Sequence, residues 1–147
     1  MLISDKFTRG WVAGACGGLL GGILGFQPYY IGISSMRITD WSSILVLGRK
    51  PPFSLTDQLY GLFVLAWSTG CVGIIFAFLL PLLTEKNIYF KGWIIFLIPW
   101  WLIYLLTALA KIEGTLNLSV MTALTNGIST SIMGLTAVYC YRLFGPK

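Results

Sequence analysis

The chain has 147 residues, of which 56% are hydrophobic and 10% charged, with a mean hydropathy of +0.82 and a formal net charge of +5. So little polar material cannot cover a water-soluble domain of this size, and the composition points to membrane integration. The ten Lys and Arg residues are scattered with no basic run of five, which argues against nucleic acid as a partner and assigns the positive balance to anchoring at anionic membrane lipid.

Four charge-free apolar windows, residues 10–36, 58–84, 92–110 and 114–141, are each long enough to cross a bilayer as a helix. They predict an all-α fold, an integral membrane four-helix bundle in one domain over 1–147. The expected spans are 10–33, 59–83, 92–110 and 118–143, joined by a loop at 34–57 that holds a possible interfacial helix.

The first window follows Lys6 and Arg9, as an apolar run follows a signal n-region. It is too long for an h-region and too rich in glycine for defined cleavage, and Ala13-Gly14-Ala15-Cys16 has too little apolar chain before it to be a lipobox, so a retained helix is expected. Gly10, Gly14, Gly17, Gly18, Gly21, Gly22 and Gly25 fall within roughly 140° of arc at helical spacing. Val12, Cys16, Leu19 and Ile23 lie opposite. A face this small lets another backbone approach closely and is read as a helix-packing face. It serves packing within one subunit, self-association, or a glycine-lined pore. Pro28 perturbs the far end, where Tyr29 and Tyr30 read as interface anchors.

In the 34–57 segment, Thr39 and Asp40 are N-cap candidates for a short helix over 41–47, stopped by Gly48 and Pro51-Pro52. Its Trp41, Ile44, Leu45 and Leu47 suit either the headgroup region or a water-exposed loop packed on the bundle. The second span ends at 80–87, which allows only a tight antiparallel connection. The third, 19 residues from 92 to 110, reaches about 28 Å, barely the hydrocarbon thickness. Its Trp93, Phe96, Trp100 and Tyr104 fall within about 80° of arc, with Trp101 just outside and Pro99 expected to bend the helix. Trp100 and Trp101 sit near mid-membrane, where each indole N–H wants an acceptor. Bundle packing, lipid contact and a lipid-tail or apolar-ligand groove are the readings of this face.

The fourth span exceeds the hydrocarbon thickness and should tilt. Ser119, Thr122, Thr125, Asn126, Ser129, Thr130 and Thr136 share roughly 140° of it. Polar side chains avoid lipid, so this candidate polar interior looks into the bundle or toward a partner helix, with Asn126 bonded across helices. The functional alternative is a neutral polar lumen for water or a small uncharged solute.

Four spans put both termini on one side. Lys6, Arg9, Lys86, Lys91, Arg142 and Lys147 would lie there, against Arg37, Arg49, Lys50 and Lys111 on the other, so the positive-inside rule places both termini in the cytoplasm. The outer charges, Arg37, Asp40, Arg49, Lys50, Asp57, Lys111 and Glu113, are expected as solvated loop charge with Lys111 snorkelling; the alternative is pairing of Asp40, Asp57 and Glu113 with the basic set, which would tie the long loop to the ends of the second and third spans.

No Asp, Glu, Lys or Arg lies inside a window, so the usual intramembrane element of a proton-coupled exporter is missing. With no histidine, zinc sites, imidazole haem ligation and His-based acid–base chemistry fall away. Cys16, Cys71 and Cys140 occupy separate windows without a CxxC pair and read as packing residues. No catalytic residue, cofactor or metal is therefore expected.

The run Gly48-Arg49-Lys50-Pro51-Pro52, then Gly73-Ile74-Ile75-Phe76-Ala77-Phe78-Leu79-Leu80-Pro81, Lys91-Gly92-Trp93 and Thr125-Asn126-Gly127-Ile128 resembles small four-helix membrane proteins of Bacillota, broadly of the YqhR and YagU type. The resemblance covers nearly the whole chain through short apolar motifs. It implies a bacterial inner-membrane protein and brings no activity or site residues. The expected function is a non-enzymatic interaction, structural or accessory protein, with a homo-oligomer or larger membrane complex as its setting. The alternatives are a homo-oligomeric channel or facilitator for a neutral solute and a lipid-binding protein.

Overall fold

A computed structural model of the chain describes residues 3–48, 51–83, 86–113, 115–116 and 118–145. All regular secondary structure among them is helical.

Helix α1, Lys6–Leu24, starts four residues before the expected Gly10 because the Asp5 carboxylate accepts the Thr8 N–H at 2.7 Å and caps it. The Thr8 hydroxyl and backbone N–H also hold the Asp5 pKa below the usual aspartate value. Pro28 has no N–H, so the Leu24 carbonyl lacks its helical donor and the chain breaks at Gly25 into a short α2, Phe26–Tyr30. The two form one bent helix over Lys6–Tyr30. It stops at Tyr30 instead of residue 33, and Gly32 turns the chain at φ 76°.

Helix α3, Ile38–Leu47, is capped by Arg37, a correction to the expected Thr39 or Asp40. Asp40 instead stands third in the helix and accepts the Arg37 backbone N–H at 2.9 Å. Gly48 ends α3 in the left-handed conformation, φ 62°.

Helix α4, Leu55–Leu83, begins at 55 and not 59 because Ser54 and Asp57 form a reciprocal capping box. Ser54 N–H donates to the Asp57 carboxylate at 3.0 Å, and Asp57 N–H donates to Ser54 Oγ at 3.2 Å. Of the expected tight turn after it, residues 84–85 lie outside the described residues.

Helix α5, Ile88–Leu109, also starts four residues early and is continuous through Pro99. Its 22 residues rise about 33 Å, enough for the hydrocarbon core. Helix α6, Val120–Leu143, starts at its Ser119 cap, which accepts the Thr122 N–H at 3.1 Å.

Helix α1 lies between α4 and α6, α5 packs on α6, and α3 packs on the first half of α4. Helices α4 and α5, consecutive in the chain, barely touch. Ala13, Phe76, Ala77, Met133, Ala137 and Val138 fill the main core, and Met36, Trp41 and Ile44 form a smaller one beneath α3. The outside is strongly apolar, with Phe63, Ile75, Leu82, Ile98, Leu105 and Leu109 all exposed. Counting α1 and α2 as one, the described residues hold five helices, and three are long and apolar enough to cross a membrane: Lys6–Tyr30, Leu55–Leu83 and Ile88–Leu109. Helix α6, the expected fourth span, is not among them because seven of its residues, and its Ser119 cap besides, are Ser, Thr or Asn.

Candidate functional site

The glycine face of α1 is divided between two neighbours. Gly10, Gly14 and Gly18 lie on α4: a Cβ on Gly10 would stand 2.6 Å from the Gly73 carbonyl oxygen, one on Gly14 would meet the Thr69 backbone, and one on Gly18 would come within 3.0 Å of Ala66 Cα. Gly17 and Gly21 lie on α6, where a Cβ would stand 3.1 Å from Ala137 Cβ and 2.7 Å from the Ser129 carbonyl oxygen respectively. Gly22 faces the Leu62 and Leu65 side chains, and a Cβ on Gly25 would stand 3.2 Å from Ser129 Oγ. Sequence reasoning passed over the matching glycines of α4. Gly73 closes on Gly10 and Gly70 receives the Trp11 indole, while Gly61 lies against the Thr39 carbonyl of α3. Their spacing, Gly70-x-x-Gly73, was the available signal.

The polar face of α6 is consumed by structure. Thr122, Asn126, Ser129 and Thr130 are buried, Thr125 and Thr136 half-buried, and the cap Ser119 exposed. Three hydroxyls donate to carbonyls one turn back: Thr125 to Met121 at 2.9 Å, Ser129 to Thr125 at 3.0 Å and Thr130 to Asn126 at 2.9 Å. Thr122 Oγ1 accepts the Ser35 N–H at 2.9 Å, which ties the chain after α2 to the start of α6. Asn126 Nδ2 donates to the Tyr104 hydroxyl of α5 at 3.2 Å and reaches the Met36 carbonyl at 3.5 Å, the outer limit of a hydrogen bond. Ser131, outside the expected set, accepts the Trp93 indole N–H at 2.8 Å.

Arg37 and Asp40 correct the expectation of solvated loop charge. They are 1% and 2% exposed and form an ion pair, Nη2 to Oδ1 at 2.8 Å, with Nε also donating to the carboxylate. The guanidinium lies over the Tyr29 ring at 4.4 Å and the Phe26 ring at 5.1 Å. The bend at Gly25 brings those two rings onto it, which no local pattern announces.

A cavity of about 180 Å³ fills the gap between α4 and α5. Trp41 of α3, Val72 of α4, Phe96 of α5 and Thr130 and Met133 of α6 are among the residues that line it. The Trp41 and Tyr104 rings are tilted by 36° with centroids 4.6 Å apart, and Trp100 follows Tyr104 at 5.1 Å. So Trp100 and Tyr104 of the expected aromatic face line a cavity, whereas Trp101 points outward, 64% exposed.

Among the described residues no cluster of His, Cys, Asp and Glu suits a metal ion. The chain matches no protein family model, no curated protein and no solved structure.

Proposed function

We propose that this chain is a four-pass inner-membrane protein that acts without chemistry of its own, as an interaction or accessory subunit, with both termini cytoplasmic. The observation that carries the reading is that the α6 polar face finds its neighbours within one subunit: Gly21 and Gly25 lie on Ser129, Ser35 N–H bonds to Thr122, and Tyr104 and Met36 meet Asn126. A facilitator built from identical subunits around that face needs the hydroxyls turned to a shared lumen. Here Ser129 donates to its own helix beneath the bent first helix, and the buried Thr130 hydroxyl donates to the Asn126 carbonyl.

The fourth crossing is supported by the inversion of α6. Leu124, Ile128, Leu135 and Tyr139 are exposed while the polar side chains are inside, so mean hydropathy understates its fit to lipid. Its 24 residues rise about 36 Å. The shared side of the termini is supported by the Ile3 N–H bond to the Phe144 carbonyl at 2.8 Å and by Arg9, which donates to the Tyr141 hydroxyl at 2.6 Å. The cytoplasmic assignment rests on the positive-inside count, and the inner-membrane setting on the resemblance to small Bacillota membrane proteins.

The test is Asn126→Leu in proteoliposomes. The reading expects a lower melting temperature, with water and glycerol flux at the protein-free background for both variant and parent. A parent that conducts, and a folded variant that does not, would replace the accessory subunit with a facilitator.

A further inference from the structure

The cations at the two ends of the bundle are used differently. Away from the termini, Arg37 is buried and spent on Asp40. At the terminal end, Lys6, Lys86 and Arg142 are exposed, and among the described residues they form no ion pair. Asp5, the one described carboxylate at that end, is turned back on its own helix by the Thr8 N–H. Cations without a counter-charge, at the level where helices leave the hydrocarbon, attract anionic headgroups.

Arg142 differs from the two lysines in its surroundings. Its guanidinium lies 5.9 Å from the centroid of the Tyr89 ring, at the outer reach of a cation–π contact, so α5 gives the group a wall. Among the described residues that guanidinium donates no hydrogen bond, and its fork of N–H donors is unclaimed. Arg142 is the last residue but one of α6, whose 24 residues rise about 36 Å, about 6 Å beyond the hydrocarbon core. A charge in the final turn takes that excess into the headgroup layer. Tyr139, one turn back and exposed, marks the boundary as interfacial tyrosines do.

The chemistry of the fork narrows the ligand. A guanidinium grips two oxygens of a phosphodiester at once, whereas a lysine offers only a point charge. Phosphatidylethanolamine brings its own ammonium to the same place, which competes for the phosphate. A headgroup without a cation does not.

We infer that the α5–α6 corner formed by Arg142 and Tyr89 binds the phosphodiester of one anionic phospholipid, and that Lys6 and Lys86 enrich that lipid nearby without holding it. The site rests on the reading that α6 crosses the bilayer, and not on the absence of a lumen.

The experiment uses the full chain in equal parts of phosphatidylethanolamine and phosphatidylglycerol. Alkaline carbonate washing of vesicles first establishes that the chain stays in the membrane. Native mass spectrometry from nanodiscs of the same lipids then reads the ratio of phosphatidylglycerol to phosphatidylethanolamine in the species that retains one lipid. The expected ratio is above one, and Arg142→Gln should lower it about fivefold, the share of one basic residue at an anionic surface. Arg142→Lys keeps the charge and loses the fork, so it should lower the ratio by a smaller factor. Tyr89→Leu should lower it too, while Lys111→Gln, an exposed cation at the opposite end, should leave it unchanged. All of these positions are exposed, so the variants are expected to fold. A parent ratio of one overturns the site and leaves the basic end to an acidic protein segment. An Arg142→Lys ratio equal to the parent's overturns it as well, as does an equal loss in Lys6→Gln and Lys86→Gln, since either marks a diffuse field and not a site. Release of the parent by carbonate would overturn bilayer insertion itself, and the accessory-subunit reading with it.

Discussion

Replacing Gly14 by alanine tests a close backbone approach between α1 and α4. A Cβ there would overlap the Thr69 carbonyl oxygen and stand 2.9 Å from its carbon and 3.0 Å from Gly70 Cα. All three are backbone atoms of α4, so no rotamer change relieves the clash and the helices must part. Overpacking of this kind costs about 1–3 kcal/mol, and rigid backbone puts this site near the upper end. Alanine for glycine inside a helix returns about 1 kcal/mol. The net expectation is a loss of about 1–2 kcal/mol, read by reversible denaturant unfolding in bicelles. Gly22→Ala is the internal control. There the contacts are the ends of two leucine side chains, Leu62 Cδ1 at 2.6 Å and Leu65 Cδ2 at 3.0 Å, which can rotate, so stability should stay within about 1 kcal/mol of the parent. Equal stability of Gly14→Ala and the parent would refute the α1–α4 packing argued above.

Other consequences are equally direct. Asp40→Leu leaves the Arg37 charge buried without its partner and should cost about 3–5 kcal/mol, whereas the double variant Arg37→Met with Asp40→Leu should recover most of that loss; a single variant as stable as the parent would contradict the buried pair. The Cys16 thiol of α1 lies beside that of Cys140 in α6, so oxidation with copper phenanthroline should yield an intramolecular 16–140 disulfide and leave exposed Cys71 out of it, a result read by peptide mass spectrometry and contradicted by a 16–71 or 71–140 product. Asp5 has its pKa lowered in the folded chain by Thr8, so its cap is fully present above the ordinary aspartate pKa and is lost as pH falls through the lowered value. Amide exchange at Thr8 and Arg9 should therefore quicken across that acidic window in the parent and not in Asp5→Asn, and equal acid sensitivity of the two would sink the assignment.

Much of the architecture was legible because bilayer helices are read from local composition. The apolar windows marked the four long helices, and glycine spacing on α1 and hydroxyl spacing on α6 marked surfaces that the structure buries. What stayed hidden depends on partners distant in sequence or on caps. Asp5 and the Ser54/Asp57 box lie in polar stretches outside the apolar windows, so α1 and α4 began earlier than hydropathy alone placed them. Hydropathy also hides the direction in which a polar face points, which is why α6 falls short as an apolar helix although its outward Leu124, Ile128 and Leu135 are exposed. Arg37 and Asp40 read as loop charge because nothing local shows that Phe26 and Tyr29 fold back over them. The α4–α5 cavity was legible only as the groove reading of the α5 aromatic face, without its walls on α3, α4 and α6, because those come from residues distant in sequence.

The central claim, that the polar face of α6 is sealed inside one subunit of a membrane bundle, is tested most directly by cysteine accessibility. In a background without Cys16, Cys71 and Cys140, single cysteines at Thr122, Asn126, Ser129 and Thr130 would be exposed in proteoliposomes to a charged, membrane-impermeant maleimide from both sides. The account predicts no labelling at Asn126, Ser129 and Thr130, and at most slow labelling at Thr122 near the start of the helix. Rapid modification at Asn126, Ser129 and Thr130 in folded protein would reveal water along that face and contradict it.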